Sequence, residues 1–277
     1  MRKLPLFLIV IGLLLIYSCK KSNSGGKGTD PSSSYLSSVV NFGAQQRTVD
    51  SFYYDPQHRL DTITQIIYDT TSGTPQYNSW TVVFLYQGDA TRPSFYNYYD
   101  ITLGGFGDYH LLSFDASDRI TKDTSLSGSA FVTYYSYPNN NIAGTTLFEG
   151  TTETNLTDTL YIQNNNLIRE VVYVPVIPGQ PDQLLGTDNY TFSPTANPAY
   201  HQPIANSIGP LLFTLQFINH GSILDFNSKN AYSTDLITNP GSPNLSHQYT
   251  LTTDSKGRLA KSALAGGTTT IEYSYYQ

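Results

Sequence analysis

Charge is scarce in this chain of 277 residues, with Lys, Arg, Asp and Glu together making up 13%. Cysteine, methionine and tryptophan occur once each, and there are four glutamates, Glu149, Glu153, Glu170 and Glu272. Each shortage excludes something. One cysteine, Cys19, leaves no internal disulfide, so the fold must rest on its core. A poverty of strong helix formers argues against a helical bundle. The 15 basic residues form no run longer than the pairs Arg2-Lys3 and Lys20-Lys21 and are outnumbered by 21 acidic ones, so the basic face that nucleic acid needs is missing. The five histidines, His58, His110, His201, His220 and His247, stand at no metal-ligating spacing. The glycine run ending in Gly107-Asp108 lacks the Lys-Ser/Thr of a phosphate loop, and no G-x-S-x-G elbow appears. No catalytic, cofactor or metal residue is therefore assigned, and a non-enzyme is expected.

What is present begins at the N-terminus. Arg2 and Lys3 precede thirteen mostly apolar residues, 4 to 16, then Ser18 and Cys19. That is the layout of a secretory signal, and thirteen residues are too few for the roughly 20 that a membrane-crossing helix needs. Ile16-Tyr17-Ser18-Cys19 resembles the lipobox of bacterial lipoprotein signals, which implies cleavage before Cys19 and acylation, including palmitate, of that cysteine. Several acyl chains make such an anchor effectively permanent. Residues 19–34, rich in Ser, Gly and Lys, carry no large apolar group to offset the entropy of ordering and make a flexible leash. Without residues 1–18 the chain keeps 13 Lys and Arg against 21 Asp and Glu, a net charge of −8. The expected location is the cell envelope, lipid-anchored, with no acidic run after Cys19, which favours the outer membrane.

Residues 35–277 read as a single β-rich domain. Twenty-three tyrosines and abundant threonine favour strands. Alternation agrees: Ile63, Gln65 and Ile67 oppose Thr62, Thr64 and Ile66, and segments 80–86 and 268–275 are pleated in pattern. Strands recur about every ten residues with turn residues between them, the spacing of hairpins. The expected fold is an all-β antiparallel meander forming a curved sheet or open barrel-like sheet, with a β-sandwich as the alternative. Prolines 194, 198, 203 and 210 break the rhythm, and one short helical connection is expected near 207–218.

A turn recurs. Asp55-Pro56-Gln57-His58-Arg59-Leu60 aligns with Asp115-Ala116-Ser117-Asp118-Arg119-Ile120, with Gln163-Asn164-Asn165-Asn166-Leu167-Ile168 and with Asp254-Ser255-Lys256-Gly257-Arg258-Leu259. The fourth places, His58, Asp118, Asn166 and Gly257, hold residues that tolerate positive φ. The leading aspartates Asp55, Asp115 and Asp254 can close an Asx-turn. A type I turn followed by a left-handed residue, a bulged hairpin, is expected at each copy. The copies are unevenly spaced, which disfavours a strict solenoid.

The phrase Asp254 to Leu259 with Tyr273-Ser274-Tyr275 downstream resembles the YD (RHS-type) repeat, and Tyr54-Asp55 to Leu60 resembles it with His58 in place of glycine. Together with Cys19-Lys20-Lys21, the leash, Asn197-Pro198-Ala199-Tyr200 and Lys229-Asn230, the chain resembles the uncharacterised YD-repeat-like lipoproteins of Bacteroidota, of unknown domain function. The resemblance implies a strand-rich fold and brings no catalytic residue.

Tyrosines at alternating positions, such as Tyr96, Tyr98 and Tyr99, would place one ring inside a sheet and the next outside. Exposed, they could stack on sugars; otherwise cross-strand aromatic pairs stabilise the sheet by about 0.2 to 1 kcal/mol each. The leading expectation is thus a membrane-anchored, non-catalytic binding or scaffold module with a protein or glycan partner and no nucleic acid. The alternatives are an oligosaccharide-binding module of a glycan uptake system and, further off, a glycoside hydrolase with converging aspartates.

Overall fold

A computed structural model of the chain describes residues 35–76, 79–101, 107–126, 131–148, 154–174, 182–200, 209, 211 and 228–276. Sixteen strands follow in order: β1 (Leu36–Phe42), β2 (Gln46–Tyr54), β3 (Leu60–Asp69), β4 (Trp80–Leu85), β5 (Phe95–Asp100), β6 (Gly107–Phe114), β7 (Ile120–Ser125), β8 (Phe131–Ser136), β9 (Ile142–Phe148), β10 (Thr154–Gln163), β11 (Asn166–Val174), β12 (Gln183–Ala196), β13 (Asn230–Thr238), β14 (Leu245–Thr253), β15 (Leu259–Leu264) and β16 (Thr270–Tyr275). Each pairs antiparallel with its sequence neighbours. β16 returns to β1, with Val39 opposite Tyr273 and Asn41 opposite Ile271, and the sheet closes into a barrel.

The antiparallel meander is therefore present, but as a closed barrel and not the open or merely curved sheet that the sequence suggested, and not as a sandwich. The physical reason is the edge: a sixteen-strand ribbon with free margins would expose two rows of unpaired backbone groups, and closure satisfies both. The helical connection expected near 207–218 lies almost wholly outside the described residues. Gly209 and Leu211 alone are described there; both are helical, and Leu211 is buried in the core.

Side-chain alternation sets the two faces. Inward come Phe52, Leu60, Ile63, Val82, Phe84, Tyr96, Leu112, Ile120 and Ile271, which join one buried apolar cluster with Trp80, Ala199 and Leu211. Burying each such aliphatic or aromatic side chain contributes about 1.5 to 3 kcal/mol. Outward come Thr64 and Thr81, hydroxyl to hydroxyl at 3.1 Å, along with Lys122 opposite Tyr134 and Lys261 opposite Glu272.

Four strands make a repeating unit. The central hairpins β2/β3, β6/β7, β10/β11 and β14/β15 each carry a register shift at the same place, next to the turn. An extra residue there bends the ribbon and steepens its twist, as closing a sheet requires. The uneven spacing of the copies is absorbed by connections of different length, of which 197–229 is one of the longest. At β12 the chain carries Pro194, and the ladder with β13 is irregular between Phe192 and Ala196, where a residue without an N–H can be housed.

Candidate functional site

The turns at one end of the barrel are built from local rules. His58, Asp118 and Gly257 have φ of 62°, 62° and 78°, and the N–H of each returns to the carbonyl of its aspartate, Asp55, Asp115 or Asp254. Asp55 Oδ1 accepts from the N–H groups of Gln57 and Arg59, each at 2.9 Å, while Oδ2 accepts from Arg59 Nε at 2.6 Å. Asp115 holds Ser117 and Arg119 in the same way, and Asp254 holds Lys256 and Arg258. Each guanidinium then lies over a tyrosine ring one strand away: Arg59 on Tyr86 at 4.2 Å, Arg119 on Tyr137 at 4.1 Å and Arg258 on Tyr275 at 4.1 Å. The tyrosine hydroxyls donate to the carbonyls of Leu60, Ile120 and Leu259, all at 2.7 Å.

Asn166 departs from this scheme. It is an ordinary strand residue pairing with Gln163, and the left-handed residues are Asn164 and Asn165, at φ 53° and 60°. Two consecutive positive φ values make a two-residue turn of the type that asparagine favours. Leu167 consequently takes the buried place that Leu60, Ile120 and Leu259 fill in the other units, one position from the alignment expected. Where the others have a tyrosine lock, this unit has the connection after β12: Ser228 Oγ accepts from the N–H of Leu167 at 2.8 Å, and Asn197 donates to the carbonyl of Ser228 at 2.9 Å. Ala199 and Leu211 from that connection are buried in the cluster that fills this end of the barrel.

Further along, the inner wall becomes polar. On β2 to β4, Gln65 bridges Asp50 and the Trp80 indole at 2.8 and 2.9 Å. On β5 to β7, His110 sits between two carboxylates, its Nδ1 2.8 Å from Asp123 and its Nε2 3.3 Å from Asp108. Tyr96 donates to Asp123 at 2.8 Å and stacks on the imidazole with centroids 4.3 Å apart. Burial alone would lower the His110 pKa, but the hydrogen bond and charge of Asp123, followed by Asp108, hold it above its ordinary value. Ser125 gives its hydroxyl to Asp108. With both ring nitrogens of His110 facing carboxylates and Ser125 so engaged, this cluster forms no nucleophile–base pair.

The opposite wall carries more carboxylates. Leu160 pairs with Glu170, Glu170 with Asp188 and Tyr190 with Asp235, so these side chains share the inner face with Asp158. Burial pushes Asp158 up to about 7 despite a hydrogen bond with Glu170. Burial and the nearby Asp235 charge push Asp188 up to about 6. Tyr190 donates to Glu170 at 3.3 Å, Tyr249 donates to Asp235 at 3.0 Å, and His247 Nδ1 lies 2.7 Å from Asp235. Tyr190, Phe192, Tyr232 and Tyr249 form a connected aromatic wall beside them, with neighbouring centroids 5.4 to 6.5 Å apart.

These carboxylates, and the two histidines, were missed from sequence. His110 and His247 both lie in strands facing inward, where carboxylates on neighbouring strands receive them. A signal was available: an acidic residue in mid-strand, flanked by β-formers as in Thr157-Asp158-Thr159, is out of place on a sheet without a partner. The aromatic trio expected to touch a ligand is split. Tyr96 is fully buried, 1% exposed, and Tyr98 stacks on Trp80 inside, so neither offers a face outward; Tyr99 points outward from the opposite pleat. Cys19 and its leash lie outside the described residues, as do His201 and His220. Among the described residues no group of three or more His, Cys, Asp or Glu could hold a metal ion.

No family model matches the chain, and no curated protein matches it. Solved structures do. A porin-like protein from Bacteroides uniformis superposes with a TM-score of 0.54 at 16% identity, over 87% of this chain and 98% of that one. A porin-like protein from Bacteroides vulgatus aligns over the same shares with a TM-score of 0.39 at 9% identity. The likeness to the first is one of fold, an antiparallel β-barrel of similar extent.

Proposed function

We propose that the protein is a lipid-anchored, non-catalytic binding barrel of the cell envelope, moored through acylated Cys19 at the outer membrane, and that it does not form a pore. The observation that supports this is the polarity of the wall. A transmembrane barrel turns an apolar band to lipid and keeps its interior polar, and a Lys or Arg on the lipid face costs about 2 to 4 kcal/mol at mid-membrane. Here the interior holds Phe52, Leu60, Val82, Phe84 and Ile120, all 1% exposed or less, while mid-strand outer positions carry Lys122, Arg169 and Lys261. Several strands, such as β4 and β7, have six residues, fewer than the 9 to 11 or so of a membrane-spanning strand.

The leash would let the barrel stand off the headgroups, and the YD-like hairpins serve as its closing clasps. A glycan partner, if bound, would meet the inner wall or Tyr99, since Tyr96 and Tyr98 face in. A second reading, glycoside hydrolysis, draws support from one arrangement: Glu170 and Asp188 are direct cross-strand neighbours with burial pushing Asp188 up to about 6, and paired carboxylates are what such chemistry uses. Loss of any aryl-glycosidase activity in Glu170→Gln would be its signature.

The deciding experiment is fractionation of cells carrying the wild-type chain or Cys19→Ser. The wild type should pellet with envelopes, and Cys19→Ser should be released as a folded, soluble barrel that gives no conductance in planar bilayers. A Cys19→Ser chain that stays embedded after alkaline extraction, or that conducts, would overturn the reading.

A further inference from the structure

Resting on the reading of the barrel as a binding module, we infer that the inner wall of β10 to β13 is a site for a linear polyamine, with Asp158, Glu170, Asp188 and Asp235 taking its ammonium groups and Tyr190, Tyr232 and Tyr249 lining its methylene chain.

Four observations converge on that class of ligand. The first is placement. The carboxylates come from four consecutive strands, and strands in a sheet lie about 4.8 Å apart, so they form a row on the order of 15 Å long. Short methylene linkers separate the charges of a polyamine by similar steps.

The second is missing compensation. Among the described residues no Lys or Arg of the strands faces this wall; Arg169 and Lys261 point outward. Among the described residues His247 is the one basic side chain there, and it is engaged with Asp235.

The third is unfilled capacity. Asp158 Oδ1 and Asp188 Oδ1 are both shut off from solvent and accept no hydrogen bond, although a buried carboxylate oxygen without a donor is costly. Asp158 can be matched within the row only by sharing a proton with Glu170. An incoming ammonium would supply donors to both orphaned oxygens.

The fourth observation separates this ligand from its competitors. A bare metal ion requires three or more ligands converging on one point, and the row spreads them instead. A neutral sugar would leave the negative charge uncompensated. A cation with an aliphatic backbone meets both demands, and the neighbouring rings, mutually inclined at 42° and 71°, present edges and faces to its methylenes and cations. Burial raises Asp158 to about 7 and Asp188 to about 6, so Asp158 is partly protonated near neutral pH when the site is empty while Asp188 is mainly ionised, and binding should expel the Asp158 proton.

The test is calorimetric titration of the mature lipidated chain, in detergent, with spermidine. Saturable binding is expected, with an enthalpy at pH 7 that depends on the ionisation heat of the buffer because protons leave Asp158. Asp158→Asn and Asp188→Asn should each weaken it at least tenfold, Tyr232→Leu severalfold, and Glu272→Gln on the outer face not at all. Absence of saturable heat, equal weakening by Glu272→Gln, or equal displacement by magnesium at matched charge would overturn the inference. If a variant unfolds, the buffer dependence of the wild-type enthalpy still decides. A chain indifferent to spermidine but released by Cys19→Ser would lose this ligand class alone, whereas a conducting barrel would remove the binding reading itself.

Discussion

The hydroxyl of Tyr86 donates to the backbone carbonyl of Leu60 at 2.7 Å. Leu60 opens β3, one residue before the extra residue of its bulge, so that carbonyl lies where the ladder is irregular and a strand partner is least able to serve it. The tyrosine supplies the missing donor and its ring supports Arg59, and Arg59 is held by Asp55. Tyr137 and Tyr275 repeat the arrangement at Ile120 and Leu259.

Removing one hydroxyl should therefore have a modest, repeatable cost. Tyr86→Phe, Tyr137→Phe and Tyr275→Phe are each expected to lower unfolding stability by about 1 kcal/mol, the net worth of one hydrogen bond. The clasps are distant and share no partner, so the triple variant should lose nearly the sum. Urea denaturation of the four variants beside the wild type checks this, and unequal or strongly non-additive losses would deny the equivalence of the clasps.

Left-handed backbone makes Asp118 replaceable in one direction only. Asp118→Val should cost about 1 to 2 kcal/mol through strain at φ 62°, while Asp118→Gly relieves strain and loses the ion pair with Arg92, leaving the melting temperature nearly unchanged.

His110 should make the barrel sensitive to alkali. Its pKa is raised in the folded protein, so its contribution is complete below the unfolded value near 6.5 and disappears as pH rises through the higher folded value. His110→Gln should be less stable than wild type at pH 5, with the difference narrowing by about pH 9 in urea titrations.

Asp158 and Asp188 act with the same sign for a different reason. Raised to about 7 and about 6, they bind protons more tightly folded than unfolded, so stability falls as pH climbs from about 4 to 7. Asp158→Asn should flatten that slope and stabilise the empty barrel at pH 8. The clasp aspartates work oppositely. Burial would raise Asp55, but its hydrogen bonds from Arg59 prevail and hold it low; Asp115 is held low chiefly by the Arg119 N–H. Their contribution is present above the unfolded value near 3.8 and is lost as pH falls through the depressed one. The stability maximum should then lie at about pH 5, found by comparing urea midpoints at pH 3, 5, 7 and 9.

The clasps at Asp55, Asp115 and Asp254 were legible in the sequence because a positive φ restricts residue choice locally, whatever surrounds it. Asn166 was placed one residue astray for the same reason: asparagine tolerates the left-handed region at three successive positions, so letters alone cannot say which two adopt it. Closure was not legible, since nothing near Val39 announces Tyr273 as its partner across almost the whole chain. Nor was the carboxylate row. Asp158 and Asp188 look like ordinary turn-loving aspartates until the registers of four strands bring them to one wall, and the inward turn of Tyr96 depended on the same long-range pairing.

Because β1 is paired on its far side by β16, the last six-residue strand completes a ring in which β2 to β15 each already have two neighbours. Until that final seam zips, the ribbon has two raw margins that invite pairing with another copy. Assembly thus has one vulnerable interval, and it ends only when the strand containing Ile271 and Tyr273 finds the one containing Val39 and Asn41.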